Sequence, residues 1–222
     1  MSAVPSTAPW LDEIRAAAQA AFVEADVPSD EDEVWRYSRI GDVDLTRYTS
    51  AGEVSQAPEP MLIGAAAATV TIRNGIAEIE RADSLGKATV AVIAEHDDGA
   101  SLLNSVRGDA IDAIGHLHDA NLGDVIVIDV PRGVAIEEPI VIDTYSSGSD
   151  ALTCPHTIVR AAAGSQVTVL ERRRSDDSDQ LVVPVVELQA ANDANVGYLV
   201  IQQLGPATTC LLYTSPSPRD RG

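Results

Sequence analysis

The 222-residue chain is long enough for one large domain or two small ones. It carries 34 Asp and Glu against 15 Lys and Arg, a formal charge of −19 at pH 7 that argues against a nucleic-acid partner, because such binding needs a basic surface. The first thirty residues carry no signal-peptide pattern, and no window approaches the roughly 18 apolar residues of a membrane span, so we predict a cytoplasmic protein without membrane contact.

Residues 1–60 are predicted to form a helical region and a linker. A helix begins at Ser6 or Thr7 with Pro9 in its first turn, and its apolar residues recur at three- and four-residue spacing: Leu11, Ile14, Ala18, Ala21, Phe22 and Ala25. Ser29 and Asp32 form a capping-box pattern that predicts a second helix, leading into the segment EVWRY. Its two aromatic residues are interpreted as packing anchors. Residues 50–60 carry two prolines and no periodicity, which is typical of a linker.

Residues 61–122 are predicted to form an α+β segment. ATVTIRNGIAEIE alternates about Asn74-Gly75, the preferred pair of a two-residue type I′ β-hairpin. A strand follows at Thr89–Ala94. Beyond it, apolar spacing predicts helical segments that are interrupted at Gly108.

Residues 123–209 change to short apolar runs separated by Gly, Pro, Asn and Asp. The segment GDVIVIDVPRGVAIEEPIVID predicts three short strands without a helix between them, and its alternating Ile and Val rows indicate burial on both faces. Strand starts at Val134, Val167 and Val196 recur at a loose interval of roughly 30 residues, which is typical of a solenoid. We therefore predict the start of a parallel β-helix, with Pro184 at a corner because it has no N–H to donate.

The last thirteen residues, Cys210–Gly222, differ in character from the rest. Cys210–Asp220 can be written as the codons of a transposon-end sequencing adapter, so we interpret 210–222 as an artefact that follows a C-terminally truncated sequence. Without that tail, a single cysteine remains, Cys154. Even both cysteines are too few for a disulfide framework and wrongly placed for a zinc site.

His116 and His118 form the most specific candidate for metal chemistry. A His-x-His pair on a strand places both imidazoles on one face, as in a cupin-like metal-dependent enzyme. The preceding apolar spacing is helical, however, and residues two apart on a helix point in different directions. We therefore assign no metal ligands and no catalytic residues.

Three other candidates have plain structural interpretations. Glu137 and Glu138 are adjacent on an extended chain and point to opposite faces, which fits a solvated corner better than acid–base catalysis. Cys154 lies two residues from His156, but a nucleophile's base is normally brought near by folding. Arg172–Arg174 precede three aspartates, which predicts a solvated loop with local charge cancellation. No Walker or dinucleotide-binding pattern occurs, so any ATP dependence has to come from a partner.

In the order of its pieces the chain resembles the SufB/SufD family of SUF iron–sulfur cluster assembly proteins, and it looks closer to SufD. The pieces are the N-terminal helix with EVWRY, the Asn74-Gly75 hairpin, VPRGVAIEEPIVI (Val130–Ile142), PHTIVRAAAGSQVTVLE (Pro155–Glu171) and VELQAANDANVGYLVIQQLG (Val186–Gly205). The resemblance implies a right-handed parallel β-helix after an N-terminal α-helical and α+β region. SufB itself remains an alternative.

The resemblance also implies a scaffold role. Such a subunit is non-catalytic by itself and acts with a SufB-like paralogue and a SufC-like ATPase, whose contact region would lie C-terminal to this sequence. The full complex builds a nascent iron–sulfur cluster, and no cofactor is expected to remain bound to this chain. Residues that touch iron or sulfur cannot be carried over from the family onto this sequence.

Overall fold

The structure is a computed structural model that describes residues 5–29, 31–33, 35–36, 40–52, 54, 58–59 and 64–212. It is mainly β. The helices are α1 (Pro9–Glu24), α2 (Gly99–Leu102) and α3 (Ala113–Ala120). The strands are β1 (Thr49–Ser50), β2 (Ala68–Arg73), β3 (Ile76–Arg81), β4 (Thr89–Val92), β5 (Ile126–Val130), β6 (Ile140–Ser146), β7 (Ala151–Thr153), β8 (His156–Ala161), β9 (Gln166–Ser175), β10 (Gln180–Val182), β11 (Val185–Ala190), β12 (Asn195–Gln203) and β13 (Thr208–Cys210).

The predicted N-terminal helix is present as α1, with Pro9 in its first turn, where the missing N–H costs nothing. The predicted cap is wrong: the N-cap is Ala8, which makes no side-chain bond, and the Ser6 backbone N–H instead donates to Asp124 Oδ1 at 2.6 Å. Leu11 and Ala18 are buried beneath the helix. The fixed φ of Pro9 and this buried face therefore hold the helix start without a capping side chain.

The predicted second helix is absent from the described residues around Asp32. Its carboxylate accepts the Ser29 backbone N–H at 2.8 Å, as a capping box requires, but residues 31–33 and 35–36 form turns. Trp35 packs against a buried apolar cluster, as expected of an anchor, while Val34 and Tyr37 lie outside the described residues. So do residues 53, 55–57 and 60–63 of the linker and its flank, and the described linker residues after β1 have no helix or strand.

The Asn74-Gly75 hairpin is confirmed. Strands β2 and β3 pair antiparallel from Ala68↔Arg81 to Arg73↔Ile76, and Asn74 and Gly75 have φ of 47° and 84°. Both positive angles are what a type I′ turn needs. A Cβ on Gly123 would overlap the carbonyl of Gly75, so the hairpin tip packs directly on the chain that enters β5.

Nine of the strands fall into three parallel groups, and each group takes one strand from each of three consecutive stretches of chain. The groups are β5-β8-β11, β6-β9-β12 and β7-β10-β13. In the second group Ile140 pairs with Val169 and Val169 with Tyr198, so the partner lies the same distance along the chain each time. The prediction of parallel pairing is therefore confirmed.

One predicted strand is reduced to a single isolated bridge. Val134–Ile136 form no strand, only an isolated bridge of Ala135 with Gln166, so Val134 is not in register with Val167. The chain is two positions longer between Ala135 and Ile140 than between their partners Gln166 and Val169. Glu137, Glu138 and Pro139 occupy this corner and end the pairing, whereas the predicted match of Val167 with Val196 is correct.

Both faces of the β5 sheet are buried, as the apolar rows predict. Ile126 and Ile128 point into a cluster shared with the β6 sheet. Val125 and Val127 pack on the other face with Leu11 of α1. This second face, covered by α1 and by residues 99–120, is called the outer face below. Pro184 lies between β10 and β11, at the predicted corner.

Candidate functional site

A buried polar cluster lies on the outer face, beneath residues 99–120. These residues contain α2, the connecting loop and α3, and we call them the covering segment. Asp112 is the N-cap residue of α3, and its Oδ1 accepts the Gly115 backbone N–H at 2.8 Å. Because His116 and His118 are two apart on this helix, they diverge: His118 is fully buried, and His116 lines a surface groove. The helical spacing predicted from the sequence is thereby confirmed, and the two imidazoles do not share a face of α3.

His118 meets a histidine from the sheet. Its Nδ1 lies 3.0 Å from Asp119 Oδ1, and its ring centroid lies 5.1 Å from that of His156 on β8. His156 Nε2 in turn lies 2.9 Å from Glu187 Oε1 on β11. The two histidines come from the two separate candidate motifs, one residue from each, and only folding brings them together.

Glu187 fastens the covering segment to the sheet. Its carboxylate accepts three backbone N–H groups of the loop, from Asn104 at 2.9 Å, Val106 at 2.6 Å and Arg107 at 3.0 Å. The carboxylate is 1% exposed, so these bonds compensate for its lost hydration. A loop that would otherwise bury orphan N–H groups is thus anchored by one side chain of the sheet.

A second carboxylate completes the cluster from the helix side. Asp119 Oδ2 accepts from the Asn104 side-chain amide at 3.2 Å and forms a buried ion pair with Arg107. Loop, helix and sheet are therefore joined through two carboxylates and two histidines. Within the described residues, His118 Nε2 and His156 Nδ1 have no hydrogen-bond partner.

The charge states of the cluster follow from burial and pairing. Burial lowers the pKa of His118 to about 4, although its bond to Asp119 opposes the shift, so the ring is neutral at pH 7. Burial acts to raise the pKa of Asp119, but His118 and Arg107 outweigh it and the pKa is lowered. The pKa of Glu187 is likewise lowered, because His156 and the loop N–H groups outweigh burial. Both carboxylates are therefore ionised.

This arrangement holds the covering segment on the sheet. Burial raises the pKa of the Cys154 thiol, which keeps it protonated and non-nucleophilic. Among the residues that the structure describes, no three His, Cys, Asp or Glu side chains are grouped so that they could hold a metal ion. Glu137 is exposed at the corner, and Glu138 accepts a hydrogen bond from the Ser84 hydroxyl. Both observations agree with the predicted solvated corner.

The prediction of a solvated arginine loop is wrong. Arg172–Arg174 belong to β9, where Arg173 continues the inward row of Val167 and Val169. Arg173 donates to Glu171 from Nε at 2.6 Å and from Nη2 at 2.7 Å, and both side chains are at most 3% exposed. The Tyr198 hydroxyl donates to the same carboxylate at 2.8 Å. The charge partner is thus two positions upstream on the strand, not in the aspartates that follow.

The neighbouring arginines are also engaged by strands. Arg174 pairs with buried Asp143 of β6, and Arg172 donates to Gln203 of β12 at 2.7 Å. Each of these partners lies 31 residues away in the sequence.

Sequence reasoning missed Glu187 as well, although a charged residue inside the apolar run LVVPVVELQ signals a buried partner.

Comparison with known proteins agrees with the sequence resemblance. Residues 144–215 match the family model described as SUF system FeS cluster assembly, SufBD core domain. The matched range runs from within β6 past β13, and so contains most of the three parallel groups and both Glu171 and Glu187. It also enters the segment attributed to an adapter, whose boundary stays a prediction. No curated protein matches the chain.

Among the described residues, no helix is long and apolar enough to cross a membrane. The domain matched by residues 144–215 connects the chain with SUF iron–sulfur cluster assembly. Residues 144–215 are therefore identified as a SufBD core domain.

Proposed function

We propose that this protein is a SufD-type scaffold subunit of a cytoplasmic SUF complex, non-catalytic by itself. The match of residues 144–215 to the SufBD core domain carries this proposal. The buried cluster is consistent with it, since its groups fix a loop to a sheet, and the nearby Cys154 thiol is protonated. The iron–sulfur cluster is then the product of the whole complex, and no residue of this chain is assigned to it.

The proposed architecture is a right-handed parallel β-helix that begins near residue 123. Its support is the strand order, because each parallel group receives one strand from each of three successive stretches. The register supports it as well: Ala151 pairs with Gln180 and Gln180 with Thr208, steps of nearly equal length along the chain. In a β-helix every turn adds one strand to each sheet, which produces such a pattern.

The proposed partners are a SufB-like paralogue and a SufC-like ATPase. Among the described strands, β11, β12 and β13 are the last in their sheets, and Leu199, Val200 and Ile201 of β12 are exposed. Open strand edges with apolar side chains are suited to association through added strands. A SufB-type identity is the second candidate, since the matched domain is common to SufB and SufD.

The cupin-like alternative has weaker support. His116 and His118 face different sides of α3, and the described sheets do not close into a barrel. Titration with Zn²⁺ or Fe²⁺ checks this directly. Stoichiometric binding that is lost in His116→Ala would favour the enzyme over the scaffold.

Co-expression with SufB-like and SufC-like proteins of the same source tests the scaffold proposal. We expect the tagged chain to retain both partners through size-exclusion chromatography and to increase the cluster content that the SufB-like protein acquires. Retention with an unrelated acidic protein of similar size as bait serves as the control. If neither partner is retained by the intact chain, while the two partners bind each other, the scaffold proposal fails.

A further inference from the structure

Most exposed large apolar side chains of the described residues fall into two patches. One patch is the edge of β11 and β12 discussed above. The other lies where the end of α1 meets the start of α3: Val23 is 71%, Val27 50% and Ile111 85% exposed. Scattered apolar residues at a surface need no explanation, but a contiguous set beside a groove indicates an interaction site.

The second patch borders an open groove of about 1180 Å³. Val27, Ile111, Trp35 and Leu212 belong to its apolar part, and Trp35 is also anchored on the buried cluster beneath it. His116 lines the groove from α3. The floor is therefore held by packed elements on three sides: α1, the turn after it and α3.

The rim of this groove is acidic. Glu24, Asp26 and Glu33 line it, and all three are exposed. Within the described part of the chain, none of them takes part in an ion pair. Helix α1 has no basic residue in its last turn, so Glu24 and Asp26 sit at the negative end of its dipole, where carboxylates are destabilising. A bound cation would relieve this repulsion.

We propose that this groove, between α1, the turn at Asp32 and the start of α3, binds a basic amphipathic helix of a partner protein. The apolar floor takes the helix's apolar stripe, and the carboxylate rim takes lysines or arginines that flank it. A second copy of this chain is a poor occupant, because a charge of −19 makes two such surfaces repel. The proposal is independent of the SufD assignment.

The probe is a fluorescein-labelled peptide of about 16 residues with Leu at i, i+3, i+4 and i+7 and Lys on the flanking positions. Fluorescence anisotropy with the full chain is expected to show saturable binding that weakens with salt. Ile111→Ser and the triple variant Glu24→Gln, Asp26→Asn, Glu33→Gln should each raise Kd about tenfold. These residues are exposed, so circular dichroism should show unchanged folding.

Matched controls separate the groove from general acidity. Ile201→Ser removes an exposed apolar residue from β12, and Glu78→Gln with Glu80→Gln removes exposed carboxylates from β3; both should leave Kd unchanged. The proposal is overturned if a scrambled peptide of identical composition binds equally well, or if no peptide binding is detected. It is also overturned if sedimentation shows a dimer that Ile111→Ser dissociates, since the groove then belongs to self-association.

Discussion

The first and the last strands of the parallel groups differ in how their outer edges are covered. At the beginning, β4 pairs antiparallel with β5 and the β2–β3 hairpin adjoins β6, so the first strands have partners on both sides. At the other end, β12 is exposed along most of its length, and Leu188 of β11 is 42% exposed. The pairings at this end are mixed: β4 is antiparallel to β5, whereas β2 and β1 are parallel to β6 and β7, and the short hairpin adds β3 to the far edge of β2.

This contrast shows that a strand's edge and its faces are protected independently: pairing strands cover the edge, and packed side chains cover the faces. Strand β11 has an open edge, but Glu187 on its outer face is held by the covering segment. Strand β12 is exposed over most of its residues, and the Tyr198 hydroxyl ties its inner side to buried Glu171. We therefore expect the stability of the open end to depend on a few polar contacts, while its edge controls association.

The largest effect is expected from Glu187→Ala, which would remove the face protection of β11. Three loop N–H groups and His156 would lose their acceptor, and each buried polar group left without a partner costs about 1–3 kcal/mol. Urea denaturation measures the loss, and hydrogen exchange should accelerate first at Val106 and Arg107. Exposed Glu80→Ala is the control. A loss below about 1 kcal/mol would show that the covering segment is held by its apolar contacts alone.

A similar loss of folding stability is expected where β12 pairs with β9, and further substitutions should reverse most of it. Arg173→Met leaves Glu171 buried without its cation and should cost about 3–5 kcal/mol. Adding Glu171→Leu and Tyr198→Phe removes the remaining charge and the donor, and should recover most of that stability, because apolar replacement of a buried pair is often neutral. Urea denaturation of the single and triple variants checks this. If their losses simply add, the three residues do not act as a unit.

The covering segment should also respond to pH. The pKa of His118 is lowered from 6.5 to about 4 in the folded protein, so protonation of this side chain favours the unfolded state. Its contribution to the free energy of unfolding is fully present above pH 6.5. This contribution is lost as the pH falls toward 4, by about 3 kcal/mol in total. The lowered pKa values of Asp119 and Glu187 act in the same direction but at lower pH. His118→Gln should flatten the stability curve between pH 6.5 and 4.5, with His116→Gln as the matched control. An unchanged slope in His118→Gln would contradict this assignment.

The smallest change in stability is expected at the open edge itself. Ile201→Lys on β12 replaces an exposed side chain and should alter unfolding by no more than about 0.5 kcal/mol. It should nevertheless reduce concentration-dependent association, because an edge lysine disfavours strand pairing. Light scattering across a concentration series measures this. Equal scattering by the variant and the parent would mean that association uses another surface.

The features that sequence reasoning predicted correctly are those with local causes. The Asn74-Gly75 pair requires positive φ at both residues, and Pro184 cannot donate within a ladder, so each defines its own position. The rows that contain Ile126 and Val127 consist of apolar residues, and this composition likewise predicted their burial. The fold-class prediction is thereby confirmed as mainly β with parallel sheets and an N-terminal helix, and the β-helix itself stays a prediction.

The features that were missed depend on residues distant in sequence. Arg174 resembles a loop residue because the aspartates nearby are closer in sequence than Asp143, its partner on the strand 31 residues earlier. The capping box at Asp32 forms, yet no helix follows it in the described residues, since a cap alone does not stabilise a helix without a packed face. The cluster of His118 with His156 has no local signal, because it exists only through packing.

The steady register of the parallel groups bears on how quickly this part of the chain folds. Its pairings, from Gln180 with Thr208 to Ile126 with Thr157, all join positions at a similar and modest separation along the chain. Because the entropic cost of closing a loop grows with its length, pairings at this separation are less costly to form than the long-range pairings of many β-rich domains. Each new strand closes only one short loop onto an edge already formed, so the parallel groups can grow outward from the hairpin-capped end in small entropic steps.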